Sequence, residues 1–120
     1  MAAVKNIIQL KGVHKSFAAH HVLRGIDLDL PADQVNVIIG RSGGGKSVLL
    51  KHIIGLLKPD KGQVLIDGID IVPLSGKELA KIRKRFGMLF QEGALFDSLT
   101  VAENVAFPLL EHTKKSRSEI

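Results

Sequence analysis

The sequence contains no cysteine, tryptophan or tyrosine, and its five phenylalanines are the only large aromatic residues. Without cysteine the chain can form neither a disulfide bond nor a thiolate metal site, which is typical of proteins of a reducing compartment. The longest apolar runs, VIIG and IIGLL, are far shorter than the roughly 20 residues of a membrane-spanning helix. The amino-terminal MAAVKNIIQLKG lacks the apolar segment of a secretion signal. We therefore expect a cytoplasmic protein.

The composition is that of a single globular domain, since 45% of the 120 residues are apolar and 24% are charged. Seventeen lysines and arginines against twelve acidic residues give a net charge of +5, which alone is compatible with a nucleic-acid partner. Five of the basic residues lie within 77–85, on one expected helix, and such clusters are usually a solvated face. We therefore expect no nucleic-acid partner.

Hydrophobic periodicity predicts an α/β architecture with an antiparallel portion at the front. NIIQLKGV and VLRGIDLDL have the pattern of strands, and the nearly continuous apolar run VNVII, at 35–39, predicts a parallel strand buried on both faces. SVLLKHIIGLL, at 47–57, has helical spacing of its apolar residues. QVLIDGIDI predicts a hairpin that turns at Asp67 and Gly68.

The second half of the chain shows two helix-start signals and one further strand. SGKELAKIRKRF predicts an amphipathic helix with a capping box between Ser75 and Glu78. GMLF, at 87–90, predicts another short buried strand, and TVAEN places a second capping box at Thr100 and Glu103. From Glu111 onward the chain is polar, and we expect it to be frayed.

GRSGGGKS, residues 40–47, fits the pattern G-x-x-x-x-G-K-[ST] between a predicted strand and a predicted helix. Glycines let the backbone wrap tightly enough for its N–H groups to converge on a phosphate, and the helix that follows directs its positive dipole end at the anion. Lys46 would reach the β- and γ-phosphates, and the Ser47 hydroxyl would bind Mg²⁺. The segment is therefore predicted to bind a nucleoside triphosphate with Mg²⁺.

The loop resembles the Walker A motif of ABC-type ATPases, G-x-S-G-x-G-K-[ST], with Ser42 and Gly43 as the additional family residues. HKSF places Phe17 where that family has an aromatic residue that stacks on adenine, and GMLFQ resembles the strand that ends at the Q-loop glutamine, here Gln91. The resemblance covers residues 5–112 and implies a P-loop NTPase fold of the ABC ATPase type.

The resemblance also implies roles for individual residues. Lys46 and Gln91 would act in catalysis, and Ser47 and Gln91 would contact Mg²⁺. The residues implied to bind ATP are Phe17, Gly40, Arg41, Ser42, Gly43, Gly44, Gly45, Lys46, Ser47 and Val48.

The implied organisation is the amino-terminal portion of one ABC ATPase domain. Residues 1–34 would form an antiparallel β-subdomain, 35–91 the first half of a parallel-sheet core, and 92–120 the start of a helical subdomain with a polar tail. No signature motif, Walker B strand or switch histidine follows Gln91, and LSGKE, at 74–78, precedes it and indicates a helix N-cap instead. We therefore expect the 120 residues alone to bind nucleotide at most and not to hydrolyse it. The strands that should flank 35–39 and 87–90 are also missing, and since unpaired strand edges promote association, we expect the chain to self-associate.

Longer segments, GKSVLLKHIIGLLKPDKG and MLFQEGALFDSLTVAENVAFPLLEHT, resemble the ATPase of Mla/Mce-type phospholipid transporters of Gram-negative bacteria. The resemblance implies a subunit that powers transport of phospholipid or a related hydrophobic cargo. It would lie on the inner membrane through a permease that contacts the loop at 93–98, and would work with a second ATPase copy. The departures, Asn36 in the predicted strand, Arg41 in the loop and Val48 in place of a common threonine, leave Lys46 and Ser47 unchanged.

Three other functions stay open at this level. The first is a small-molecule P-loop kinase, against which Phe17 and the strands before the loop argue. The second is a non-transport ABC ATPase that acts on nucleic acid or ribosomes, and the third is a non-catalytic nucleotide-binding module. The five histidines show no metal-ligand spacing, so we expect them to be structural or exposed.

Overall fold

The computed structural model describes residues 5–41, 44–89 and 93–120. These residues form the strands β1 (Asn6–Phe17), β2 (His20–Pro31), β3 (Lys61–Ile66) and β4 (Ile69–Asp70) and the helices α1 (Lys46–Ile53), α2 (Gly76–Arg83) and α3 (Val101–His112). The chain divides into two compact units, of which the first ends at Arg85 and the second begins at Phe86. No helix in the described ranges has the length and apolarity needed to cross a membrane.

An antiparallel sheet with the strand order β2-β1-β3-β4 is the centre of the first unit. A tight connection joins Phe17, the last residue of β1, to its pairing partner His20, and β1 pairs with β3 on its other edge. β3 turns into β4 through Asp67 and Gly68, both at positive φ, as the central residues of a two-residue hairpin turn require. The two amino-terminal strands and this turn agree with the sequence prediction.

The hydrophobic core of the first unit joins the sheet to α1 and α2. Burial of one such leucine or isoleucine side chain contributes about 1.5–3 kcal/mol relative to exposure, so the core holds both helices on the sheet. The buried apolar side chains are Leu10, Val13, Leu23, Val64 and Ile66 of the sheet, Leu49 and Ile53 of α1, Ile71 after β4, and Leu79 and Ile82 of α2.

The two predicted parallel strands are not formed in the described residues. Residues 35–39 are irregular and Ile39 is 91% exposed; residues 87–89 are also irregular and Leu89 is 84% exposed. Phe90, the last residue of the second predicted strand, lies outside the described residues. A strand buried on both faces needs hydrogen-bonded neighbours on both edges, and in the described ranges the four-stranded sheet provides no strand beside either segment.

The helices differ from prediction at their ends. α1 ends at Ile53, four residues before the predicted end, and α2 ends at Arg83. The capping box predicted at Ser75 is not formed, because the Ser75 side chain makes no capping hydrogen bond. Gly76, the first residue of α2, has a φ of 58°, so the helix start departs from the geometry in which the box closes.

The second unit consists of α3 and the segments on either side of it. Thr100 caps α3, and the capping box predicted there is confirmed: Glu103 N–H donates to Thr100 Oγ1 and Thr100 N–H donates to Glu103 Oε1, both at 3.1 Å. The centroids of the Phe96 and Phe107 rings lie 4.7 Å apart. Phe96 N–H donates to Asn104 Oδ1 at 2.9 Å, and Asn104 Nδ2 donates to Phe96 O at 3.2 Å. The loop before α3 is therefore folded onto the helix.

Asp60 joins the turn after α1 to the end of β1. Ser16 N–H donates to Asp60 Oδ2 at 2.8 Å, Asp60 N–H donates to His14 O at 2.8 Å, and Lys15 Nζ lies 3.6 Å from Asp60 Oδ1. The bond from Ser16, and then the charge of Lys15, lower the pKa of the Asp60 carboxyl. The ionised carboxylate therefore stabilises the folded chain.

We expect the contribution of Asp60 to be complete above about pH 4, the ordinary pKa of an aspartate, and to disappear as pH falls through its lower folded-state value. Asp60→Ala should therefore lower the urea midpoint at neutral pH, and the difference from the wild type should shrink in acid. Midpoints measured between about pH 7 and pH 2 check this, with Glu111→Ala as the control. A difference that stays constant over that range would contradict it.

Candidate functional site

The glycine-rich segment enters α1 through a tight turn. Gly44 N–H donates to Arg41 O at 3.0 Å, and Gly45, the N-cap residue of α1, has a φ of 94°. A methyl group on Gly44 would lie 2.9 Å from Arg41 O, so no side chain fits there. Only glycine meets such a close approach and such a φ without strain, which explains why the sequence has glycine at both positions.

The start of α1 lies against β2. A methyl group on Gly45 would be 3.1 Å from Val22 Cγ1, and Val22 is two residues from His20, the pairing partner of Phe17. Two strand residues span about 7 Å, so the end of β1 lies close to the start of α1. Phe17 is 43% exposed, and Lys15 Nζ is 5.5 Å from its ring centroid. Phe17 therefore presents an accessible aromatic ring at the strand end that lies near the start of α1.

Lys46 and Ser47 are the first two residues of α1. The Lys46 ammonium donates to Gly40 O, so its side chain turns back over the loop, while Ser47 is exposed. The first N–H groups of any helix lack intrahelical partners and have partial positive charge. No acidic residue lies in the first turn of α1, all of which is described. Backbone donors, an ammonium group and a hydroxyl thus meet at one place, which fits a polyphosphate with its cation.

The structure brings most of the predicted site residues together at this end of α1. Ser42, Gly43 and Gln91 lie outside the described residues, so their roles stay predictions. The Val48 carbonyl accepts a hydrogen bond from the His52 side chain, which lies one turn further along α1. The described members of the predicted site are Phe17, Gly40, Arg41, Gly44, Gly45, Lys46, Ser47 and Val48.

Two residues outside the motif also hold α1. His52 is 1% exposed and its Nδ1–H donates to Val48 O at 2.7 Å, while its Nε2 is buried without a partner in the described part of the chain. Arg83 of α2 bonds the backbone at the carboxyl end of α1. His52 lies between Leu49 and Ile53 on the apolar face of α1, which is a signal of burial in the sequence. Arg83 gives no such signal, because its partners are distant along the chain.

Over most of its length the chain is similar to ATP-binding proteins of transport systems. A family model described as ABC transporter matches residues 23–120. The chain is 55% identical over 113 residues to the probable ribonucleotide transport ATP-binding protein mkl of Mycobacterium leprae. It is 43% identical over 109 residues to the intermembrane phospholipid transport system ATP-binding protein MlaF of Haemophilus influenzae. These alignments cover 94% and 91% of the chain but only 33% and 41% of those relatives' lengths.

Solved structures share the fold. A dimeric structure of the bacterial ABC transporter cassette MJ0796 matches 93% of the chain and 51% of that cassette, with a TM-score of 0.78 and 34% identity. The chain also matches cbiO1 of Clostridium perfringens, part of the ABC transporter complex cbiONQ, with a TM-score of 0.81 and 31% identity. This match covers 95% of the chain and 45% of the length of cbiO1. A post-hydrolysis state of MJ0796 bound to ADP and Pi matches with a TM-score of 0.78 and 33% identity. The predicted fold class is thereby confirmed.

We expect Gly45→Ala to lower the free energy of unfolding by about 1–3 kcal/mol, because the new methyl group meets both a positive φ and the Val22 side chain. Gly68→Ala has the same sign of φ with open space around it and measures the backbone effect alone. Gly87→Ala, in open space without a positive φ, should change little. Urea denaturation of the three variants checks this.

The comparison between the first two variants decides the outcome. A larger loss in Gly45→Ala than in Gly68→Ala supports a tight contact between the start of α1 and β2. Equal losses would show that the backbone conformation alone accounts for glycine at position 45.

Proposed function

The chain belongs to the ABC transporter family, and we propose that residues 40–48 hold the phosphates of ATP in a subunit that powers transport across a membrane. The observation that carries this proposal is the glycine-lined turn at the start of α1, with the Lys46 side chain folded over it. Phe17 ends β1, which pairs with the strand that this turn packs against. The names of the relatives, which are ATP-binding proteins of transport systems, and the neighbour bound to ADP and Pi support it.

Each described group has a defined part in this site. The first N–H groups of α1 and the Lys46 ammonium would bind phosphate oxygens, and the Phe17 ring would stack on adenine. The Ser47 hydroxyl, with Gln91, would bind Mg²⁺, which prefers oxygen ligands and keeps part of its shell from phosphates and water. When bound, Mg²⁺ supplies positive charge beside the phosphates. Lys46 would have to exchange its bond to the Gly40 carbonyl for one to phosphate.

Hydrolysis is proposed as a property of the intact protein. Phosphoryl transfer to water depends mainly on positioning and on charge neutralisation. Lys46 and Gln91 would contribute to both, whereas the signature, the Walker B strand and the switch histidine that the family resemblance implies have no counterpart in these 120 residues. Residues 1–120 alone should therefore bind nucleotide without turnover.

Two variants separate the phosphate part of the site from the adenine part. Lys46→Ala should weaken the binding of Mg-ATP and of inorganic tripolyphosphate by the same factor, about ten- to hundredfold, because both ligands lose one ammonium–phosphate contact. Phe17→Ala should weaken only Mg-ATP, by about five- to hundredfold, since a stacked base contributes roughly 1–3 kcal/mol and tripolyphosphate has no base. Isothermal titration calorimetry on the intact protein measures both affinities.

Lys51→Ala, an exposed lysine one turn further along α1, is the matched control and should change neither affinity. Unchanged tripolyphosphate binding by Lys46→Ala would contradict the phosphate site. Equal weakening of both ligands by Phe17→Ala would contradict stacking. ATP turnover by residues 1–120 alone that disappears in Lys46→Ala would contradict the need for the rest of the protein.

The second unit is proposed to meet a membrane permease through the loop at 93–98, which would keep the subunit on the inner membrane. Leu95 in this loop is 72% exposed, and the ring contact between Phe96 and Phe107 holds the loop on α3. A second copy of the protein would complete the ATPase, as MJ0796 is dimeric. Residues 1–120 by themselves should self-associate through exposed apolar segments such as 35–39, which sedimentation equilibrium would measure.

Leu95→Asp should reduce co-purification of the intact protein with its permease several-fold, because a carboxylate opposes burial in an apolar contact. Ile69→Asp, at a half-exposed apolar position on β4 in the first unit, is the control and should leave the complex intact. Equal recovery of the permease by the wild type and Leu95→Asp would contradict the proposed contact.

Phospholipid or a related hydrophobic molecule is the proposed cargo, on the resemblance to the Mla/Mce-type ATPases and the match to MlaF. The name of mkl points instead to a ribonucleotide. In the reconstituted transporter, stimulation of ATP hydrolysis by phospholipid supports the first cargo, and stimulation by ribonucleotide alone would replace it with the second.

A further inference from the structure

The carboxyl end of α1 has its own stop signal. Gly55, with a φ of 76°, follows the helix, and its N–H donates to His52 O at 3.2 Å, while Leu56 N–H donates to Lys51 O at 2.8 Å. This pair of bonds is the Schellman motif, which satisfies carbonyls of the last helical turn. The carbonyls of Ile54 and Gly55, beyond the last residue of α1, take their donors from another helix.

One side chain bonds both of these carbonyls. Arg83, the last residue of α2, donates from Nε to Ile54 O at 3.2 Å and from Nη2 to Gly55 O at 2.7 Å. The guanidinium group presents its donors in a rigid planar fork, so two simultaneous bonds fix a direction as well as a distance. Its positive charge also lies at the negative end of the α1 dipole.

Leu79 of α2 also packs against the carboxyl end of α1. It lies four residues before Arg83 and therefore on the same face of α2. Its side chain is buried, and a methyl group on Gly55 would lie only 2.9 Å from Leu79 Cδ1. α2 thus holds the end of α1 with an apolar contact and a polar fork together.

The two ends of α1 are consequently fixed by different elements. Gly45 lies against β2 at the amino end, and Gly55 lies against α2 at the carboxyl end. A helix of eight residues is about 12 Å long and moves as one body, so a change of direction at one end moves the other. Lys46 and the free N–H groups are at that other end.

We propose that Arg83 is a positioning residue for the phosphate loop: by binding the Ile54 and Gly55 carbonyls it sets the direction in which α1 presents Lys46 and its first N–H groups to phosphate. This inference rests on the proposed function of residues 40–48. Arg83 touches no phosphate in this scheme and acts only through α1.

The test measures tripolyphosphate affinity, Mg-ATP affinity and the thermal midpoint of the intact protein in Arg83→Ala and Arg83→Lys. Arg83→Ala should lower the affinity for both ligands equally, by about three- to tenfold, because a change in the direction of α1 weakens every contact to phosphate. Arg83→Lys keeps the charge at the helix end but not the fork, so it should recover most of the thermal midpoint and little of the affinity. Arg85→Ala is the matched control, since Arg85 Nη2 lies 3.5 Å from Asp67 on the β3–β4 turn and should leave both affinities unchanged.

A lower thermal midpoint with unchanged tripolyphosphate affinity in Arg83→Ala would overturn the inference, since Arg83 would then only stabilise the fold. Full recovery of affinity in Arg83→Lys would overturn the role of the fork. If Arg83→Ala does not fold, the tripolyphosphate affinity of Arg83→Lys alone decides between the two outcomes. Failure of the proposed function is distinct, because Lys46→Ala would then bind tripolyphosphate like the wild type.

Discussion

The close approach of Gly45 to β2 is the constraint on which the candidate site depends. Because no side chain separates them, α1 starts directly against the strand and next to the end of β1, where Phe17 lies. α1 has only eight residues, and an isolated helix of that length is not stable in water. Its helical state therefore comes from packing, with Leu49 and Ile53 buried in the core. The site exists only where the core of the first unit is formed.

Apolar and polar contacts contribute differently to this arrangement. Burial of apolar area is not directional, so it brings α1 onto the sheet without fixing the angle of its axis. Hydrogen bonds are directional, and those of His52 and Arg83 act on the backbone of α1 and of the residues just after it. The free energy of folding thus resides mainly in the core, whereas the direction of α1, and with it the proposed phosphate loop, depends on a few polar groups around it.

A feature could be predicted more readily from the sequence when the residues that determine it are close together along the chain. The Asp67-Gly68 hairpin and the Thr100 capping box depend on neighbouring residues, and each is formed as predicted. The Ser75 capping box is equally local but is not formed, since Gly76 begins α2 with a φ of 58°. The strand at 35–39 depends on partners elsewhere, and its apolar run could not show that the described sheet offers none. The fork of Arg83 joins residues 28 and 29 positions apart, beyond the reach of any local pattern.

The division of the chain also bears on how transport would be powered. Every described residue of the proposed nucleotide site lies in the first unit, whereas the proposed permease contact at 93–98 lies in the second. The chain passes from one unit to the other after Arg85, and Gln91 lies between that point and the permease loop. On the proposed function, the nucleotide site and the permease contact therefore belong to different units. Arg83, two residues before the boundary, bonds the backbone just after α1, so the helix that precedes the boundary also holds the helix that carries Lys46.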